Sequence, residues 1–174
     1  MDFSSAFNTI IPRKLFDKLI HMGVERSPCV WILDIPQDRP RSVRISKQTS
    51  KEITLNVGAP QGCVLSPPQF SLFINDGVSS EPPVVMNRFS DDTTLEGLIQ
   101  NADQSAYRAE VERLAGWDSE NDLELNVSKT KEMVLDFRKK KRLLVSLTIA
   151  GEIVEEVKVF EFLGTTISCD LKRD

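Results

Sequence analysis

The sequence predicts an α+β fold in which helices pack on one face of a mainly antiparallel sheet. Three observations carry this expectation. Apolar residues recur at helical spacing near the start and in the middle of the chain. Two pairs of short runs, the first pair alternating polar and apolar residues, read as hairpins. From Glu132 onward the sequence is strand-like almost throughout.

The elements follow in order. Pro12 opens a helix reaching about Met22, with Leu15, Phe16, Leu19 and Ile20 on one face and Gly23 as its stop. Ser27-Pro28 starts a second, short helix carrying Val30, Trp31 and Leu33, broken by Pro36. Arg41 to Ile45 and Ile53 to Val57 alternate polar and apolar residues and form a hairpin through Lys47-Gln48-Thr49-Ser50. Ser66 caps a third helix, with Pro67 in its first turn, running through Phe70, Leu72, Phe73 and Ile74 to about Gly77. Val84 to Phe89 and Thr93 to Ile99 form a second hairpin with Asp91 and Asp92 at its tip. From Asn101 to Asn121 runs the clearest helix, with Ala106, Val111, Leu114, Ala115 and Trp117 inward and its acids on a solvated face. The tail reads as strands over Met133–Phe137, Leu143–Ile149, Ile153–Val154 and Val157–Ile167, with a turn at Gly151.

The bulk numbers narrow the function. The chain has 174 residues, one domain's worth and enough for a core, with 40% hydrophobic and 28% charged residues. No apolar run approaches the roughly 18 residues of a membrane span, so no membrane partner is expected. Met1-Asp2-Phe3-Ser4-Ser5 lacks the basic and apolar regions of a secretory signal, and an intracellular location, nuclear or cytoplasmic, is expected. Cys29, Cys63 and Cys169 are odd in number and far apart, which fits reduced thiols. His21 is the single histidine, which argues against a histidine metal site or a Ser-His-Asp triad. The net charge of −4 is uneven: residues 1–128 carry 12 Lys+Arg against 18 Asp+Glu, whereas 129–174 carry 10 against 8. Binding to phosphate would therefore have to come from local basic stretches.

Asp91 and Asp92 are the main chemical signal. Adjacent carboxylates repel and raise each other's pKa unless a cation sits beside them. A turn that holds two of them suits a hard, oxygen-loving ion such as Mg²⁺, although Asp is also an ordinary turn residue. Two further strings bear on the choice: Asp2-Phe3-Ser4-Ser5-Ala6-Phe7-Asn8, and Gly58-Ala59-Pro60-Gln61-Gly62-Cys63-Val64-Leu65-Ser66-Pro67. With Phe89-Ser90-Asp91-Asp92 they stand in the order and approximate spacing of three motifs that resemble those of reverse transcriptases. Leu125-Asn126-Val127-Ser128-Lys129-Thr130-Lys131 and Phe160-Glu161-Phe162-Leu163-Gly164 resemble the fourth and fifth. The resemblance is to the palm of reverse transcriptases of non-LTR, LINE-type retrotransposons and covers essentially the whole chain.

The resemblance implies an RNA-directed DNA polymerase palm, a nucleotidyltransferase acting on an RNA template, a DNA primer and a dNTP. It implies two Mg²⁺ ions, with Mn²⁺ as an alternative, held mainly by Asp2 and Asp91, with Asp92 as a supporting carboxylate and the Phe3 carbonyl as a further ligand. Phe7 would be the steric gate against a 2′-hydroxyl, and Gln61 and Gly62 would lie against template and incoming nucleotide. Lys129 would neutralise or protonate the leaving pyrophosphate, with Lys131 a weaker candidate. The basic run Arg138-Lys139-Lys140-Lys141-Arg142 is a candidate nucleic-acid contact, a solvated loop or a nuclear-targeting signal.

The family usually has Ala where this chain has Ser90. Because the resemblance begins at Asp2, the fingers are expected before Met1 and the thumb after Asp174. The segment before the aspartate hairpin, Ser79 to Pro83, is short. Catalysis by positioning needs tethered ligands, so the isolated palm is expected to be weakly active or inactive. The alternative is an inactive retroelement remnant that binds nucleic acid or protein. A third reading, an unrelated interaction domain whose Asp91-Asp92 is only a turn, predicts that Asp2 lies far from the hairpin.

Overall fold

A computed structural model of the chain describes residues 1–35, 37–60, 62–80, 84–138 and 144–170. Gln61, the Lys139–Arg142 run and Pro36 lie outside the described residues. The chain divides into two compact units, a helical unit of residues 4–78 and 118–124 and a hairpin unit of residues 1–3, 79–117 and 125–174.

In the helical unit, α1 (Pro12–His21) starts at proline, whose fixed φ suits the first turn. It buries Leu15 and Leu19. Gly23, at φ +81°, ends it as expected: its N–H donates to Ile20 O and that of Val24 to Leu19 O, satisfying two terminal carbonyls. His21 sits in the last turn, its Nδ1 2.6 Å from Asp17 O. α2 (Arg26–Asp34) buries Cys29, but Trp31 and Val30 point to solvent, at 59% and 48% exposure. Lys18 of α1 donates to Phe73 O at 2.7 Å and pairs with Asp76 at 2.6 Å.

The first hairpin is present with a broken register. β1 (Arg39–Arg41) pairs with β4 (Ile53–Leu55), and β2 (Arg44–Ile45) with β3 (Gln48–Thr49). Arg41 faces Ile53, and Ser50 N–H donates to Val43 O, so Ser42 stands opposite two residues, Lys51 and Glu52. That extra residue is a β-bulge, which bends the ribbon.

α3 (Ser66–Phe73) departs from expectation at its start. Ser66 is its first helical residue, not its cap; its hydroxyl donates to Pro60 O and its N–H to Cys63 O. The serine thus satisfies the loop before the helix and leaves the helix's own free N–H groups alone. Gly58 closes that loop at φ +74°, where an added Cβ would come within 2.8 Å of the Asn8 backbone.

In the hairpin unit, β5 (Val84–Phe89) and β6 (Asp92–Gly97) form an antiparallel ladder from Val84↔Gly97 to Phe89↔Asp92. The loop is the two residues Ser90 and Asp91, with Ser90 at φ +58°. α4 (Ser105–Glu120) belongs to this unit up to Trp117. Its acids are not all solvated. Glu110 is fully buried, taking hydrogen bonds from Ser80 N and Oγ at 3.2 and 3.1 Å and from Arg113 Nη2 at 2.6 Å. Asp118 is also buried.

The tail supplies β7 (Lys131–Glu132), β8 (Thr148–Ile149), β9 (Glu152–Ile153), β10 (Glu155–Glu156), β11 (Val159–Phe162) and β12 (Thr165–Ser168). β8–β9 and β11–β12 are hairpins closed by Ala150-Gly151 and Leu163-Gly164, both residues of each turn at positive φ. β7 pairs with β10 in parallel. Among the described residues, Met133–Phe137 joins no ladder, contrary to expectation, and the expected single sheet is a set of two-stranded ladders. Val111, Leu147, Ile149 and Val154 form a buried cluster, with Met1, Leu95, Tyr107 and Leu125 against it. The fold class is α+β. Among the described residues no helix is long and apolar enough to cross a membrane, and the three cysteines are free.

Candidate active site

The site in the hairpin unit starts from the backbone of Met1–Phe3. Met1 N donates to Thr93 O at 2.5 Å, and Thr93 N–H returns a bond to Met1 O at 3.2 Å. Reciprocal bonds of this kind define an antiparallel pair, so the next residues along, Asp2 and Asp92, stand directly opposite each other. Opposed residues share a face, with Cβ atoms roughly 5 Å apart. On the other side Phe3 bridges Leu125, and Asp2 O accepts from Asn126 N–H at 2.8 Å. The segment carrying Asp2 is therefore a strand held along both edges.

The Asn126–Lys131 string builds the third side. Asn126 Oδ1 accepts from Lys129 N–H at 3.1 Å and from Ser128 Oγ at 2.7 Å, which closes a tight turn. Thr130 is buried; its N–H and its Oγ1 both donate to Asn126 O at 2.9 Å, and Oγ1 accepts from Asp2 N–H at 3.3 Å. That turn aims Lys129, whose Nζ lies 3.7 Å from Asp2 Oδ2. Lys131 is committed elsewhere, to Glu155 at 2.5 Å and Ser128 O at 3.0 Å.

Asp2, Asp92 and Lys129 line one cavity of about 1100 Å³, whose remaining wall includes Leu95, Met133, Leu135 and Phe160. Asp91, in the hairpin loop, is not among its lining residues. Asp2 Oδ2 is buried and accepts no hydrogen bond among the described residues, with Lys129 too distant to donate one. Glu132 also lines the cavity; burial pushes its carboxyl above the usual carboxylate range, against the opposing bond from Leu147 N–H at 3.3 Å. Tyr107 beside it is pushed up to about 12, first by burial and then by the Glu132 charge.

The other sequence candidates fall in separate places. Phe3 is buried in the bridge to Leu125. Phe7 and Gly62 belong to the helical unit. There the half-buried Phe7 ring lies 5.1 Å from that of Phe70, and Phe7 O accepts from Ala59 N–H at 2.7 Å. Gly58 spends its missing side chain on the Asn8 backbone, whereas among the described residues nothing lies within 4 Å of a Cβ built on Gly62. Arg138 grips Asp136 through two side-chain bonds, at 2.7 and 2.8 Å. Gln61, Lys139, Lys140, Lys141 and Arg142 lie outside the described residues.

Sequence reasoning did not single out Thr130 or Asn126, although both sit in a string it named. Their signal was the Asn-x-Ser-x-Thr spacing, which suits a side-chain-closed turn. Among curated proteins no sequence matches this chain. The family model described as reverse transcriptase (RNA-dependent DNA polymerase) matches residues 1–167. The chain belongs to the reverse transcriptase family.

Proposed function

We propose that the hairpin unit carries the nucleotidyl-transfer centre of an RNA-directed DNA polymerase palm of the LINE type. Asp2 and Asp92 form its carboxylate pair, Asp91 is the adjoining carboxylate in the loop, and Lys129 is the cation. The observation that carries the reading is the Met1–Thr93 exchange, which sets Asp2 opposite Asp92 from 90 positions away.

Among the described residues no group of three or more His, Cys, Asp or Glu side chains could hold a metal ion. Mg²⁺ does not require one, because it commonly takes one or two carboxylates and completes its shell with water and substrate phosphates. The buried Asp2 Oδ2, without a hydrogen bond among the described residues and 3.7 Å from Lys129 Nζ, forms with the opposed aspartate a hard-oxygen pair of that kind. Asp2 and Asp92 would hold the metal, with Asp91 in the adjoining loop outside the cavity lining. Bound there, Mg²⁺ or Mn²⁺ would supply Lewis-acid activation of a primer 3′-hydroxyl and charge neutralisation on the triphosphate.

The chain's own groups do the rest. Thr130 and Asn126 fix the Asp2 backbone, and Lys129 brings a positive charge to where pyrophosphate would depart. RNA template, DNA primer and dNTP are the substrates that the family implies. The competing reading is a catalytically inactive remnant of the family.

Primer extension on an RNA template with Mg²⁺ separates the two. On the polymerase reading the wild-type chain extends the primer, if weakly. Asp2→Asn and Asp92→Asn each reduce extension by roughly a hundredfold or more, the equivalent of about 3 kcal/mol of lost charge stabilisation. Extension that survives both changes excludes this centre, and a folded wild-type chain with no extension establishes the remnant.

A further inference from the structure

The β1–β4 ribbon of the helical unit takes no part in the site or in the buried cluster described above. Every residue from 40 to 54 is exposed. Residues 39–51 hold five cations, Arg39, Arg41, Arg44, Lys47 and Lys51, and no acid. The surrounding residues 1–128 are net −6, so this is a local concentration of positive charge against the trend of the chain. Arg39 has a structural task, donating through Nη2 to Val57 O and Gly58 O, each at 2.7 Å. The other four form no ion pair among the described residues.

We infer that this ribbon is a docking surface for a nucleic-acid duplex, gripping its phosphate backbones through Arg41, Arg44, Lys47 and Lys51. The inference rests on the reading of this chain as acting on nucleic acid and adds a second contact surface to it. Four cations outside any ion pair among the described residues, Arg44 with only a 3.4 Å bond to Ser46 O, stand on an exposed segment and match the charge of phosphate. A two-stranded ribbon can lie across the wide, shallow minor groove of an A-like RNA–DNA duplex and reach the phosphates on either side. Residues 39–57 contain no aromatic side chain, so the ribbon offers no platform on which the bases of a single strand would stack. The bulge at Lys51–Glu52 bends the ribbon, as following a curved backbone requires.

The test uses the full chain and a fluorescently labelled RNA–DNA duplex, with binding read by anisotropy across a salt series. Replacing all four residues by glutamine should lower the slope of log affinity against log salt by about three to four. The pair Arg41→Lys with Arg44→Lys should keep the wild-type slope. Lys47→Glu with Lys51→Glu, confined to the exposed tip and bulge, gives a second reading if the fourfold variant does not fold. An unchanged slope and affinity, or no duplex binding by wild type, overturns the assignment. So does ribbon-dependent preference for single strands, or loss of self-association in place of duplex binding. Asp92→Asn should leave duplex binding intact while removing extension, so failure of catalysis and failure of the ribbon are read separately.

Discussion

Glu132 shows how a single residue couples the site to stability. Its carboxyl is buried in the cavity wall, and burial raises its pKa above the ordinary value of 4.5. A raised carboxyl stabilises the fold fully below that ordinary value, and the contribution is lost as pH rises through the higher folded value. Glu110 works in the opposite sense. The Arg113 hydrogen bonds hold its carboxyl low, so its contribution is lost as pH falls through the depressed value. Denaturation midpoints measured from acid to neutral pH should therefore decline less for Glu132→Gln than for wild type. Identical slopes for the two proteins would mean that Glu132 is ionised without penalty. Neither acid was legible beforehand. An amphipathic helix pattern predicts where apolar residues face, but a buried Glu that meets Ser80 and Arg113 depends on a loop that sequence periodicity does not place.

At the scale of elements, the β5–β6 hairpin rests against α4 through the absence of one side chain. A Cβ on Gly97 would lie 2.6 Å from Tyr107 Cδ2, inside van der Waals contact. Gly97→Ala should destabilise the protein by about 1–3 kcal/mol through forced ring displacement. Gly116→Ala is the matched comparison: it lies in α4, where an added Cβ meets no atom within 4 Å among the described residues outside its own helical turn, and should stabilise by up to about 1 kcal/mol. Chemical denaturation reads both, and a neutral Gly97→Ala would show that the hairpin can slide. The helices were largely legible because proline and glycine mark their ends in local chemistry, as at Pro12 and Gly23. Met133–Phe137 was misread because a short, mostly apolar run reads as a buried strand, and residues lining a cavity satisfy that pattern without a ladder partner. The strand role of Met1–Phe3 was invisible for a related reason: three residues carry no period, and their partners lie far along the chain.

At the scale of the whole molecule, ligand binding and folding are linked. If Asp2 and Asp92 hold Mg²⁺ in the folded state alone, the ion stabilises the chain by about 2.7 kcal/mol at a hundredfold excess over its dissociation constant. Melting temperature should rise with Mg²⁺ for wild type and stay fixed for Asp2→Asn and Asp92→Asn. Equal shifts in all three would place the ion elsewhere. The family was legible in five ordered strings because each keeps its chemistry in consecutive residues. The pairing of Asp2 with Asp92 was not, because it is a property of strand register.

The bend at Ser42 has a consequence for handling as well as for recognition. Exposed ribbon margins are where copies of a protein zip together into fibrils, and such zipping wants straight, neutral, greasy borders. Here Val43, Ile45 and Ile53 supply the grease, at 61%, 72% and 64% exposure. The kink removes straightness and the neighbouring cations remove neutrality. Neutralising those cations to weaken one kind of partner would therefore also lower the barrier to amyloid-like deposition in concentrated samples.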